Sequence, residues 1–154
     1  MRVFYNRDPS LKEDRIDICY KEEDERIEII RNFFFSLQSI TGKKEDVVCV
    51  LHPGSIYYLE MVDRKLFAYQ MREVYQLDYS IKHFLDCFGA NGFVQISKNT
   101  IVNLYRVRQV KTDLNMRLKL VMDNDEMLIL NRTYKKTFLD ALYHIQEVYH
   151  ENHQ

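Results

Sequence analysis

From position 47 onward the apolar residues of this chain recur at every second position in short runs, and no other feature constrains its fold as strongly. A side-chain period of two is that of a half-buried strand. The runs 47–51, 56–62, 66–70 and 74–79 are rich in Val, Ile, Leu and Tyr, and His-Pro-Gly, Asp-Arg-Lys and Met-Arg-Glu turns separate them. Short strands joined by short polar turns predict an antiparallel meander. Ser80 then caps a short helix with Ile81, Phe84, Leu85 and Phe88 along one stripe, stopped by Gly89 and Asn91-Gly92. Three further strands follow over 102–111, 116–122 and 127–130, turning near Asn115 and at Asp123-Asn124-Asp125. A closing helix, with Thr133 as its cap, carries Tyr134, Phe138, Leu142, Ile145 and Tyr149 on one side. The fold class expected is mainly β, of the α+β kind: an antiparallel β-fold with short helices.

The chain ahead of this region reads differently. Residues 2–6 and 15–20 are strand-like, with Asp8-Pro9-Ser10 as turn chemistry between them. The acidic run Glu22-Glu23-Asp24-Glu25 precedes Ile27, Ile30, Phe34 and Leu37 at helical spacing, which predicts a helix over 22–40. Thr41-Gly42-Lys43-Lys44 ends that helix and marks a boundary. The expected organisation is a strand-strand-helix extension over 1–45 and a main domain over 46–154. With 154 residues, 46% of them hydrophobic, the chain can fill one full core. No apolar run reaches the roughly 18–20 residues that span a bilayer, and no signal peptide opens the chain, so a cytoplasmic location is expected. Cys19, Cys49 and Cys87 share no Cys-x-x-Cys spacing, which supports neither a disulfide framework nor a zinc site.

Enzyme chemistry has little to rest on. There are four glycines and no phosphate-binding Gly-rich loop, nucleophile elbow or His-Glu-x-x-His motif, so no catalysis, cofactor or metal is expected. His150 and His153 fall in a polar tail, and His83 reads as an exposed helix residue. The eleven tyrosines fall mostly at strand or stripe positions and read as packing.

The charge is more telling. The net value is only −1, yet residues 93–136 carry nine basic side chains against four acidic ones, a local surplus that suits a polyanion. Within it, Phe-Val-Gln-Ile-Ser-Lys-Asn-Thr-Ile-Val-Asn over 93–103 displays Lys98 and Asn99 between two apolar anchors. Residues 1–46 hold nine basic and eleven acidic groups, a poor match for phosphate.

The polar insert followed by Val102-Asn103-Leu104, together with the later Asn131-Arg132-x-Tyr134-x-Lys136 run into a helix, resembles the LytTR-type DNA-binding domain of bacterial transcriptional regulators. The resemblance covers about residues 46–148. It implies a mostly antiparallel β-fold that reads bases in successive major grooves from loops. On that footing the base-reading candidates are Arg64 or Lys65 in the first loop, Lys98 and Asn99 in the second and Arg132 in the third. Arg or Lys can donate to guanine O6 and N7, and Asn can pair with adenine. Ser97, Arg106, Arg108, Lys135 and Lys136 are assigned to phosphates. The chain departs from the family pattern at Gln95, where arginine is common, at Asn99, where serine is common, and at Asp125, where glycine is common.

The resemblance further implies a regulator of transcription that binds double-stranded DNA as a homodimer, without cofactor or small-molecule substrate. The 45 residues ahead of the domain are too few for a phosphoacceptor receiver and resemble the extension of small stand-alone members. Such members can occur with a membrane protein that restrains them, which adds an inhibitor of that kind to the partners to consider. Ile27, Ile30, Phe34 and Leu37 form the expected dimer or regulatory surface, since an apolar stripe of that size needs a cover. Two other classes stay open: an RNA or single-strand binding module using tyrosine faces, and a protein-interaction regulator that has lost DNA affinity.

Overall fold

The computed structural model describes residues 2, 4–12, 16–37 and 39–151, with side chains at all of them except 32, 33, 35–37 and 146–151. The elements run α1 (Glu25–Leu37), β1 (Ile40–Lys44), β2 (Val47–Leu51), β3 (Tyr58–Val62), β4 (Lys65–Tyr69), β5 (Val74–Leu77), α2 (Ile81–Phe88), β6 (Phe93–Ser97), β7 (Thr100–Asn103), β8 (Val107–Thr112), β9 (Leu118–Met122), β10 (Met127–Leu130) and α3 (Lys135–Glu151). Strands β2-β1-β5-β4-β3-β7-β6 form one seven-stranded sheet, and β10-β9-β8 form a second of three. Every pairing is antiparallel, as the period of two predicts.

Alternation along the strands builds two cores. Ile101 faces one and its neighbour Val102 the other. The first core sets Leu59, Leu66 and Leu77 of the large sheet against Phe84 and Phe88 of α2. Phe84 meets Phe93 edge to face, with ring centroids 5.0 Å apart. The second packs Ile96 and Val102 against Leu120, Met122 and Leu130 of the small sheet and Phe138 of α3. Each such side chain taken wholly out of water contributes about 1.5–3 kcal/mol before entropy. Ser80 caps α2 as expected, its hydroxyl accepting from the His83 amide at 3.1 Å.

Asn103 joins the two cores. It is buried, and its carboxamide donates to the Ile56 carbonyl at 2.8 Å while its oxygen accepts from the Tyr105 amide at 3.1 Å. That second bond starts a 3₁₀ turn over Leu104–Arg106, which carries the chain from the large sheet to the small one. The strand expected over 102–111 is therefore two strands with a corner between them.

Several expectations are corrected. Among the described residues of 2–20 there is no strand; Val3 and residues 13–15 lie outside them. Phe4 and Tyr5 are exposed, and no sheet edge is paired there. The first helix spans 25–37, because Asp24 caps it by accepting from the Arg26 and Ile27 amides at 3.0 and 3.2 Å. Residues 41–44, expected to end the first helix and mark a boundary, belong to β1, so the large sheet reaches into the segment assigned to the extension. Gly42 serves close packing there: a Cβ added to it would lie 2.9 Å from both Leu51 Cδ1 and Tyr75 Cβ. Asn131, not Thr133, caps the last helical segment, accepting from the Thr133 amide at 3.0 Å and starting a 3₁₀ turn over Arg132–Tyr134. Tyr149, expected on the inner stripe of α3, has its side chain outside the described ones.

The α1 stripe keeps a half-buried character at Ile27, Ile30 and Phe34, whereas the side chain of Leu37 is outside the described set. Neither core holds a described residue of α1.

Two substitutions test this packing by denaturant unfolding. Gly42→Ala should cost about 1–3 kcal/mol through overpacking. Asn103→Ala should cost about 2–4 kcal/mol, since a buried carbonyl and a turn-starting amide lose their partners together.

Candidate nucleic-acid interface

Hairpin geometry brings the basic turns together. Strands β3 and β4 close over a two-residue turn, Asp63-Arg64, with Val62 opposite Lys65. Both turn residues have positive φ, 49° and 65°, which matches the right-handed twist of the hairpin. Lys65, expected within the turn, is the first residue of β4. Arg64 and Lys65 are both exposed.

Because β3 pairs with β7, the turn between β6 and β7 lies beside the first one, and the Met61 amide donates to the Asn99 carbonyl at 2.8 Å. The Gln95 carboxamide donates to the Lys98 carbonyl at 3.3 Å, and the Ser97 hydroxyl accepts from the Asn99 amide at 3.3 Å. Braced from both sides, the turn holds Lys98 and Asn99 out in solvent. The third segment is tied to the same place, since the Asn131 amide donates to the Ile96 carbonyl at 2.8 Å. Arg132 and the α3 residues Lys135 and Lys136 are exposed there.

The first turn of α3 has two lysines and no carboxylate. Cations at the positive end of a helix are unfavourable alone, so this end is strongly electropositive and suits a phosphate. Between the second and third segments opens a cavity of about 630 Å³, lined by Ser97, Asn131, Arg132 and Lys135 together with Met116, Arg117, Leu118, Ile129 and Leu130. Arg117 was not singled out from the sequence as a site residue. Its side chain pairs with Asp113 at 2.9 Å. The Arg117 amide, followed by its guanidinium and the Asn115 amide, holds the Asp113 carboxyl below the usual carboxylate range.

Arg106 and Arg108 are not brought to this end. Arg106 donates through Nε to the Gly54 carbonyl at 2.8 Å, lies 3.8 Å from Asp123 and sits 5.1 Å above the Tyr57 ring centre. Arg108 pairs with Asp125 at 2.6 Å. Asp125 has φ 67° in its turn, so an aspartate holds the left-handed position.

The model of the LytTr DNA-binding domain family matches residues 46–143. The chain belongs to the LytTR family. Among its relatives, the sensory transduction protein LytT of Enterococcus faecalis is 21% identical over 68% of this chain and 43% of its own length. The sensory transduction protein LytR of Streptococcus agalactiae is 26% identical over 70% of this chain and 44% of its own. The matched part of the chain thus spans less than half the length of these two relatives. A solved LytTr DNA-binding domain from Bacillus cereus shares the fold, with a TM-score of 0.63 at 23% identity, over 68% of this chain and 95% of that one. Among the described residues no helix is long and apolar enough to cross a membrane.

The β3–β4 turn yields a prediction. A non-glycine residue at φ 65° costs up to about 1 kcal/mol relative to glycine. Arg64→Gly should therefore raise stability in thermal unfolding while removing one cation from the basic end. A lower melting temperature would mean that the arginine side chain holds the hairpin.

Proposed function

We propose that this LytTR protein is a sequence-specific regulator of transcription that acts in the cytoplasm by binding double-stranded DNA as a homodimer on paired half-sites. One observation carries the reading: three exposed basic segments, remote in sequence, lie side by side at one end of the large sheet, joined by the Met61–Asn99 and Asn131–Ile96 backbone bonds. Adjacent short protrusions from a rigid sheet suit successive major-groove contacts. Lys98, Asn99, Arg132 and one of Arg64 and Lys65 are the proposed base readers. Ser97, Lys135 and Lys136 are proposed to take phosphates, with the positive end of α3 adding to the last two. Arg117, on the wall of the cavity, is held by Asp113, so any share it takes in phosphate binding is reduced in the same way as that of the two arginines of the β7–β8 region. Arg106 and Arg108 already hold carboxylates, so any share they take in phosphate binding is smaller than their charge suggests. The α1 stripe is proposed as the regulatory surface, open to a restraining partner such as a membrane protein.

Titration of specific and scrambled duplexes tests the assignment. Lys98→Ala and Arg132→Ala should each weaken the specific duplex by about 1–3 kcal/mol, and the scrambled one much less. Lys135→Ala should weaken both alike and lower the slope of log affinity against log salt by about one. Arg106→Ala should instead show its effect in thermal stability. Equal losses on both duplexes for Lys98→Ala and Arg132→Ala would remove them from the base readers, and tighter binding of unstructured RNA than of any duplex would favour a single-strand module.

A further inference from the structure

The outer strand of the large sheet is unprotected. Among the described residues strand β2 has one neighbour, β1, and its Val47, Val48 and Val50 are 61%, 59% and 66% exposed. An apolar, uncharged edge of this kind pairs readily with another strand. The opposite edge, β6, is tied to Asn131 and packed against α3.

The direction of the free backbone groups follows from the turn. Strands β1 and β2 close over Glu45-Asp46, with Lys44 opposite Val47. A two-residue turn makes that closing pair a hydrogen-bonded one, and bonded and non-bonded pairs alternate from there. Val47, Cys49 and Leu51 therefore bond β1, while the amides and carbonyls of Val48 and Val50 face outward.

We propose that this edge pairs with the same edge of a second copy, antiparallel and centred on Cys49. In that register Val48 lies opposite Val50 of the other copy, so the two outward-facing residues meet and exchange both backbone bonds. Val47 lies opposite Leu51. Asp46 lies opposite His52, and both are exposed, which places an acid against a base at each end. The strand is self-complementary in shape, charge and backbone parity, as an isologous two-fold contact requires. This argues for a second copy in preference to an unrelated strand. The pairing extends one sheet across two chains, gives the proposed homodimer its contact surface and leaves α1 for regulation. It rests on the two-copy reading, not on the DNA contacts, and is measured without DNA.

The register can be trapped. Centred pairing makes the two Cys49 residues a non-hydrogen-bonded pair, with Cα atoms about 4.5 Å apart, inside the roughly 4.4–6.8 Å that a disulfide accepts. Cys19 and Cys87 are exposed and would cross-link on their own, so the full chain carries Cys19→Ser and Cys87→Ser. Copper-catalysed air oxidation, with oxygen taking two electrons and two protons from the thiols, should then give a covalent dimer on a non-reducing gel. Val50→Pro removes an outward amide without touching a bond to β1, and Val48→Lys puts a charge into the contact. Each should weaken self-association in sedimentation by at least about tenfold and abolish the cross-link, with the unfolding transition of a folded chain retained. A monomeric full chain at micromolar concentration would overturn the proposal, as would a dimer that survives both substitutions without a Cys49 cross-link. DNA binding that persists in such a monomer would leave the nucleic-acid reading standing.

Discussion

The carboxamide of Asn103 lies where three pieces of chain must turn at once. The 53–56 segment enters β3, β7 ends, and the chain leaves the large sheet for the small one. Apolar packing cannot set that junction, because hydrophobic burial has no direction, and the carbonyls of the entering segment need a donor away from water. The side chain supplies one, reaching the Ile56 carbonyl at 2.8 Å, while the Asn103 amide donates to the Tyr57 carbonyl at 2.9 Å. The same residue starts the 3₁₀ corner. An apolar residue of similar size would fill the space and orphan the corner. The path of the chain from the large sheet to the small one thus turns on this one polar group.

Charge at the basic end is a matter of placement. A chain with net charge −1 has no general attraction for a polyanion, so local density has to supply it. Strand pairing does this without long loops: two hairpin turns and one helix start are anchored to adjacent strands. The Gln95 and Ser97 contacts brace the second turn from within. Placing Lys135 and Lys136 at the start of α3 lowers helix stability by a few tenths of a kcal/mol to about 1 kcal/mol each at most. Such a local conflict is expected where a site serves a ligand better than it serves the fold.

Much of the fold was legible because the main chain region obeys one rule at a time. Strands β2 and β10 run over the residues that their short apolar runs indicate, and Ser80 and Gly92 bound the α2 region as their chemistry suggests. What escaped were residues with two meanings. Gly42 reads as a helix stop, yet the structure uses its missing side chain to let Leu51 and Tyr75 approach. Residues 104–106 keep an apolar-polar rhythm, so the corner is invisible unless the partner of Asn103 is known. The two runs near the start have strand composition, but their described residues form no strand, and composition alone does not make one. At the basic end, the exposed placing of Lys98, Asn99 and Arg132 was readable from their turn settings. Arg117 was not, because its position on the cavity wall depends on how β9 meets β10 and α3. The carboxylate partners of Arg106 and Arg108 come from a hairpin turn many residues away, and alternation along one strand cannot reveal them.

Two apolar surfaces stay unexplained by either core, and their chemistry separates them. The β2 edge offers backbone groups in a fixed spacing, so its partner must be a strand, and its uncharged sequence sets no penalty against a copy of itself. The α1 face offers Ile27 and Ile30 on a helix whose start is crowded with Glu22, Glu23, Asp24 and Glu25. Two copies of that helix side by side in parallel would set like charges together, a repulsion that β2 avoids. A partner with basic residues beside an apolar groove suits α1 better than α1 itself does. If the strand edge serves assembly as proposed, α1 is left for control, and a regulator could engage it without first prying two copies apart.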